Sequence, residues 1–263
     1  MKEQNNKYNV LNPCLAAVSA LLVFLSAFNL RAENEDTSGA HQRIKCPRTE
    51  QAIVIDGIPS EWQSNRSAAF AGNTYIGLFR DRENIYFYLE TKDPELSMQI
   101  MNFGLTTWFN TKSAGKRSIG IQFPEIINQM PPPKDAKPPS REELDKILAR
   151  RQENIIIENK DKSTTKKMSM KEVSRSGISA RISVSSGILY YELKYPLAID
   201  PGKVNLSGLI VETPEIDLEK ILREHGLRQR EEALKDKNHP KPNNRPKLPQ
   251  LKRYSKVFEV STE

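Results

Sequence analysis

Ile55-Asp56-Gly57-Ile58-Pro59-Ser60-Glu61-Trp62 is the stretch on which the fold turns. Asp-Gly supplies a tight turn, because glycine tolerates positive φ and the aspartate carboxylate bonds its own backbone. Trp62 follows with an apolar body large enough to plug one end of a core. Asp56, Gly57 and Trp62 are therefore read as one structural motif, with the indole inside. Upstream, QAIVIDG (51–57) reads as a short strand that ends at this turn. Downstream, the strand pattern repeats in GNTYIGLFRD (72–81), NIYFYLETKD (84–93), LTTWFN (105–110) and RSIGIQFP (117–124). It resumes in SGISARISVSS (176–186), GILYYELKYPL (187–197), VNLSGLIVET (204–213) and YSKVFEVST (254–262). Short strands separated by turn signals predict a sandwich rather than a βαβ fold.

Successive residues of a strand point to opposite faces, so alternation assigns the core. Ile85, Phe87 and Leu89 share one face, as do Leu105, Thr107 and Phe109, and Leu189, Tyr191, Leu193 and Tyr195. The opposite faces hold Tyr86, Tyr88 and Glu90; Thr106, Trp108 and Asn110; and Tyr190, Glu192 and Lys194. An aromatic platform beside polar groups suits a pyranose, whose C–H face stacks on a ring while its hydroxyls bond polar side chains. Trp108, Tyr86, Tyr88 and Asn110 are therefore the candidate ligand-binding residues, on an outward face that is either exposed as a platform or covered by the inserted helices as a second core.

Two insertions interrupt the strands, at about 125–155 and 215–250. The first opens with PPPKDAKPP (131–139), stiff and extended. It continues into a helical segment in which Ser140 and Glu143 form a capping-box pair. The second combines a helical pattern over 215–237 with the proline-rich NHPKPNNRPKLP. Between 237 and 256 stand Lys237, Lys241, Arg245, Lys247, Lys252, Arg253 and Lys256 with no acid. Such a basic segment fits an anionic envelope component or, as residues 215–256, a protein partner. Nucleic acid is not expected, since Tyr254 alone offers stacking there.

The first 32 residues read as an address. Leu15 to Leu25 is almost wholly apolar and follows Lys2 and Lys7. This is the layout of a secretory signal, and the run is short for a membrane span of ~20 residues. Residues 1–32 are thus a signal peptide or an uncleaved N-terminal anchor, which would be the only membrane attachment. Residues 33–44 read as a flexible leader and 45–263 as one sandwich domain with the two insertions. The chain's net charge is +7, and removal of 1–32 leaves +5. It has 263 residues with 37% apolar, below the usual ~45–50%, and only two cysteines and three histidines. These counts exclude a disulfide scaffold, a cysteine-rich zinc protein and a polytopic membrane protein. Cys46, the one cysteine after the apolar run, has no histidine near it in sequence and reads as structural.

No Gly-x-Ser-x-Gly, His-Glu-x-x-His, Walker loop or Gly-x-Gly-x-x-Gly occurs. His41, His225 and His239 fall in the leader, the inserted helix and the basic loop, so no base is expected on a rigid strand. The chain is read as non-enzymatic. Asp56, Asp81, Glu83, Asp93 and Glu95 fall at strand ends. Oxygen ligands of this kind suit a structural calcium, although their spacing matches no loop motif and turn formation is the better account of them. No other cofactor or metal is expected.

The opening motif resembles that of the bacterial family-9-like carbohydrate-binding module, an Asp-Gly turn followed by an acidic residue and a Trp. The resemblance continues in order through Asn84-Ile85-Tyr86-Phe87-Tyr88 with Asp93-Pro94, through Leu105-Thr106-Thr107-Trp108-Phe109-Asn110, and through Tyr191-Glu192-Leu193-Lys194-Tyr195-Pro196-Leu197. Uncharacterised exported members of this type share the stretch from Gly115 to Pro124 and Val211-Glu212-Thr213-Pro214. The resemblance covers about residues 50–263. It implies a mainly β, immunoglobulin-like antiparallel β-sandwich with a periplasmic, secreted or cell-surface location in a bacterium. The expected function is an exported non-catalytic domain that binds a carbohydrate or envelope glycan. The alternative is a structural or assembly protein of the envelope that docks a partner through the helical insertions and basic loop.

Overall fold

The computed structural model describes residues 42–66, 68–110, 113, 115–125, 146, 148–197, 206–215 and 252–262. The signal or anchor at 1–32, most of the leader and most of both insertions lie outside the described residues. Among the described residues no helix is long and apolar enough to cross a membrane.

Among the described residues twelve strands form two sheets. The seven-stranded sheet uses β1 (Gln42–Lys45), β5 (Leu105–Asn110), β6 (Ile119–Phe123), β7 (Asn154–Asn159), β8 (Thr164–Ser169), β11 (Gly208–Glu212) and β12 (Ser255–Ser261), in the order β1-β12-β11-β5-β6-β7-β8. The five-stranded sheet uses β2 (Ala68–Ala69), β3 (Thr74–Arg80), β4 (Asn84–Thr91), β9 (Ser179–Ser185) and β10 (Ile188–Pro196), in the order β2-β3-β4-β10-β9. All strand pairs are antiparallel but one. β1 runs parallel to β12, with Gln42 opposite Phe258, so residues 42–44 belong to a strand and not to a leader.

The inner faces are those that alternation assigns. Phe87, Leu89, Tyr191, Leu193 and Tyr195 from one sheet share a buried cluster with Leu105, Phe109, Ile121, Phe123, Leu209 and Phe258 from the other. The Phe109 ring stacks on Tyr195 at 5.3 Å, and Tyr191 meets Phe123 edge-on at 6.0 Å. The two sheets therefore pack face to face as a sandwich. Cys46 is buried, and its N–H donates to the Ser261 carbonyl at 2.9 Å. Burial pushes its thiol up to about 12 against the opposing charge of Arg80, so the thiolate form is suppressed.

Three elements went unread in the sequence. Helix α1 (Pro94–Phe103) links β4 in one sheet to β5 in the other and buries Leu96 and Ile100 in the shared core. Asp93 caps it, accepting from the N–H groups of Glu95 (2.9 Å) and Leu96 (3.2 Å), with Pro94 in the first turn. The Asp-Pro pair is thus a helix start rather than a simple turn. The β7–β8 hairpin and helix α2 (Met170–Arg175) occupy 154–175, so β structure resumes at the end of the span read as the first insertion. Within that span, residues 146 and 148–151 are helical.

The segment 51–57 is not a strand. It begins a strap, residues 53–66, that lies over the outer face of the five-stranded sheet. Its fastening is Glu192 on β10, which is fully buried. Glu192 Oε2 accepts from the Gly57 N–H (2.7 Å), and Oε1 accepts from Trp62 Nε1–H (2.9 Å). Gly57 has φ +83°, and a Cβ there would come within 2.8 Å of the Ser183 Cβ on β9. Asp56 Oδ1 receives the Ile58 N–H at 2.8 Å and completes the turn. Farther along, the Asn65 carbonyl sits where a Cβ on Gly77 of β3 would project, so only glycine admits the strap there. Trp62 is fully buried, but in a separate cluster on this outer face rather than at one end of the inter-sheet core, and it stacks on Tyr88 at 4.9 Å with an 11° interplanar angle.

Trp62→Ala removes the stack and leaves Glu192 short of a donor. We expect a loss of about 3–5 kcal/mol in chemical denaturation, and an unchanged midpoint would remove Trp62 from the core. Burial pushes the Glu192 carboxyl up to about 7 from the ordinary 4.5, although the Gly57 and Trp62 donors pull it down; the nearby Asp56 and Glu61 charges add to the rise. A carboxyl raised on folding binds protons more readily in the native state. Its contribution is complete below pH 4.5 and is lost as pH climbs through about 7. Stability measured by denaturation should therefore decline by about 3 kcal/mol across this window, and Glu192→Gln should flatten the profile.

Candidate functional site

Register defines three rows on the outer face of the five-stranded sheet. Tyr75, Glu90, Tyr190 and Ser183 face one another in the first, and Gly77, Tyr88, Glu192 and Arg181 in the second. Phe79, Tyr86, Lys194 and Ser179 form the third. The strap covers much of this face. Ile53, Trp62, Tyr86 and Tyr88 make a second small core against it, with Ile55, Phe79 and Tyr190 packed at its margin.

Tyr86 and Tyr88 are therefore not a platform. They are 5% and 0% exposed, and their hydroxyls point to fixed acceptors. Tyr86 O–H donates to Asp81 Oδ2 at 2.6 Å, and Tyr88 O–H donates to Glu90 Oε2 at 2.7 Å. Burial, reinforced by these carboxylates, raises both phenols far above their ordinary value of 10, so neither ionises. Asp81 shifts the other way. Burial works to raise its pKa, but hydrogen bonds from Tyr86, the Glu83 N–H and Asn84 outweigh it and leave the carboxyl lowered.

Trp108 and Asn110 lie on the other sheet and are also buried, so the structure does not bring the four candidates together. Trp108 Nε1–H donates to Glu212 Oε1 at 2.8 Å. Arg117 bonds both oxygens of that carboxylate (3.1 and 2.7 Å), and Arg253 Nη2 adds a third ion-pair contact at 3.0 Å. The Arg117 guanidinium lies 5.9 Å and Lys160 Nζ 5.3 Å from the Trp108 ring centre. Burial works to raise the Glu212 pKa, yet the arginines and the indole hold it below the ordinary value; the same pairing raises Arg117. Trp108 is thus a packed floor under a roof of paired charges.

Sequence reading passed over Tyr75 and Arg66, and it placed Tyr190 on the outward face without making it a candidate. Tyr75 is 43% exposed and Tyr190 is half-buried. Glu90 stands between them in register and is 5% exposed. Its Oε2 also receives Arg66 Nη2 at 2.9 Å, and the Arg66 side chain is 40% exposed. The two tyrosines are separated by two strand spacings, about 9–10 Å at the backbone. This leaves two aromatic rings flanking a recessed ion pair at the edge of the strap. Alternation within TYIGLFR does place Tyr75 opposite the core positions Ile76 and Leu78, so this signal was present in the sequence.

Among the described residues no group of three or more His, Cys, Asp or Glu is placed to hold a metal ion. Asp56, Asp81 and Asp93 instead accept backbone N–H groups at turns and a helix start.

No protein-family profile matches the chain, and no curated protein matches it. Among solved structures the chain is similar to a family 9 carbohydrate-binding module from Caldicellulosiruptor kristjanssonii in complex with cellotriose. Identity is 13%, the match covers 68% of this chain and 79% of that one, and the TM-score is 0.33. It is similar also to that organism's family 9 module in complex with glucose, at 13% identity over 66% of this chain and 80% of that one, with a TM-score of 0.31.

Proposed function

We propose that the protein is an exported, non-catalytic module that binds a glycan on the outer face of its five-stranded sheet, beside the strap. The observation that supports this reading is the row Tyr75–Glu90–Tyr190. Two aromatic rings on a rigid sheet flank a polar pair that is already ordered by Tyr88 and Arg66. Sugar C–H faces stack on such rings, and little side-chain entropy is lost because Tyr190 is packed and Glu90 is held in place. Export is supported by the apolar run from Leu15 to Leu25 behind Lys2 and Lys7. The non-catalytic part is supported by the state of the carboxylates: Glu90 and Glu192 both accept hydrogen bonds from fixed donors.

A second reading, an envelope assembly protein, is favoured by one observation on the other sheet. In the pairs Lys116–Asp161, Arg117–Glu212, Lys167–Glu125 and Arg253–Glu212 the acids are 8–19% exposed and the bases 41–60%. Those four pairs turn their cations outward, as an acidic partner would need, while Glu215 beside Arg253 is itself exposed.

Isothermal titration with a panel of oligosaccharides separates the two. Tyr75→Ala should weaken glycan binding at least tenfold while the melting temperature stays within a few degrees, and Trp108→Phe should leave affinity unchanged. Affinity that collapses in Trp108→Phe and survives Tyr75→Ala would place the ligand elsewhere.

A further inference from the structure

The polar chemistry at the tyrosine row is one-sided. Glu90 is the acid in the row, and it is recessed: its Oε2 accepts the Tyr88 hydroxyl and pairs with Arg66 Nη2 at 2.9 Å, and its side chain is 6% exposed. The charged residue that reaches solvent is Arg66, whose side chain is 40% exposed. A guanidinium carries five N–H donors and no acceptor, in a planar fork that matches a carboxylate or a sulfate.

The neighbouring charges do not reverse this. Glu192 is buried beneath the strap, and Glu61 Oε2 accepts the Ser60 hydroxyl at 2.8 Å. Asp56 stands at the Gly57 turn with Oδ1 taken by the Ile58 N–H. Arg181, in the next row, is exposed. A neutral sugar offers hydroxyls that both donate and accept, and a donor-only partner satisfies half of that capacity. A sugar with an anionic substituent fills a fork that is already held in place by a buried carboxylate.

We infer that this row selects glycans bearing an anionic group, a uronate carboxylate or a sulfate ester, and that Arg66 is the residue that selects them. The inference rests on the glycan reading of the same site. Tyr75 and Tyr190 supply stacking that is indifferent to charge, and Arg66 supplies the discrimination. Because Arg66 is half-exposed, the preference depends on ionic strength.

The test is titration of the full chain with trigalacturonate, a sulfated galactan tetrasaccharide and neutral cellotetraose, in low and high salt. At least one anionic ligand should bind tenfold or more tighter than the neutral one at low salt, and the gap should narrow at high salt. Which anionic ligand wins distinguishes carboxylate from sulfate. Arg66→Gln should bring the anionic and neutral affinities within about twofold of each other, and Arg66→Lys should restore part of the gap. The lysine variant also keeps a cation beside Glu90, so it guards against loss of fold. Neutral and anionic ligands binding alike, with Tyr75→Ala abolishing both, would overturn the selection and leave the glycan reading standing. So would an anionic preference that survives Arg66→Gln. Binding to none of the three, or binding indifferent to Tyr75→Ala, would overturn both.

Discussion

The buried carboxylate of Glu192 is the constraint from which the outer face of the five-stranded sheet follows. A strap of irregular chain has no ladder of its own to hold it against a sheet, and its backbone polar groups need partners. Glu192 supplies two acceptors at one point, for the Gly57 N–H and the Trp62 indole N–H. The Asp-Gly turn sets the direction of the chain, and the indole five residues on lies flat on Tyr88. Removing either donor leaves a buried oxygen without its bond, which costs more than a solvated hydrogen bond would contribute. The Asp56–Gly57–Trp62 motif and Glu192 therefore act as one unit, although 130 residues separate the tryptophan from the glutamate.

That unit decides which aromatics the surface keeps. Tyr86 and Tyr88 have the alternation of an outward platform, yet the strap converts their face into a second small core. Tyr75 and Tyr190 lie one row farther along, and they remain accessible to different degrees, Tyr190 less because it packs against the small core. On the seven-stranded sheet the indole of Trp108 is hidden by charge rather than by apolar packing. Arg117 and Lys160 approach its ring and are themselves tied to Glu212 and Glu158. The same residue types on two outward faces thus meet two kinds of cover, and neither leaves the four aromatic and amide groups at one surface.

The inner faces were legible because alternation is local. Phe87, Phe109, Tyr191 and their strand mates needed only the period of a strand to be assigned to the core. The outer faces were not, because what covers a sheet is set by chain that is distant in sequence. Other omissions have nearer causes. Asp93-Pro94 carries an N-cap and a first-turn proline, the signature of a helix start, but its polar and methionine-bearing continuation obscured α1. NIIIEN and TTKKMS lack a two-residue period, so the β7–β8 hairpin gave no alternating signal. The strand read into 51–57 failed for the opposite reason: IVI has β propensity, but it docks onto a sheet face instead of pairing at an edge. The parallel placement of β1 beside β12 was equally hidden, since it joins the two ends of the described chain.

The candidate site and the strap are linked through the chain itself. Arg66 lies four residues after Trp62, and Asn65 between them is fixed by its side-chain bond to the Leu78 carbonyl and by its place over Gly77. The guanidinium that reaches Glu90 is therefore held from the strap side, whereas Glu90 and both tyrosines belong to the sheet. Freeing the strap would withdraw the cation and leave Glu90 in the row with Tyr88 alone, reversing the charge offered to a ligand. A site assembled from two such parts reports on its own folding. The selectivity proposed for it depends on the strap that Glu192 holds down, so the carboxylate that shapes the outer face also sets, at a distance, where Arg66 stands.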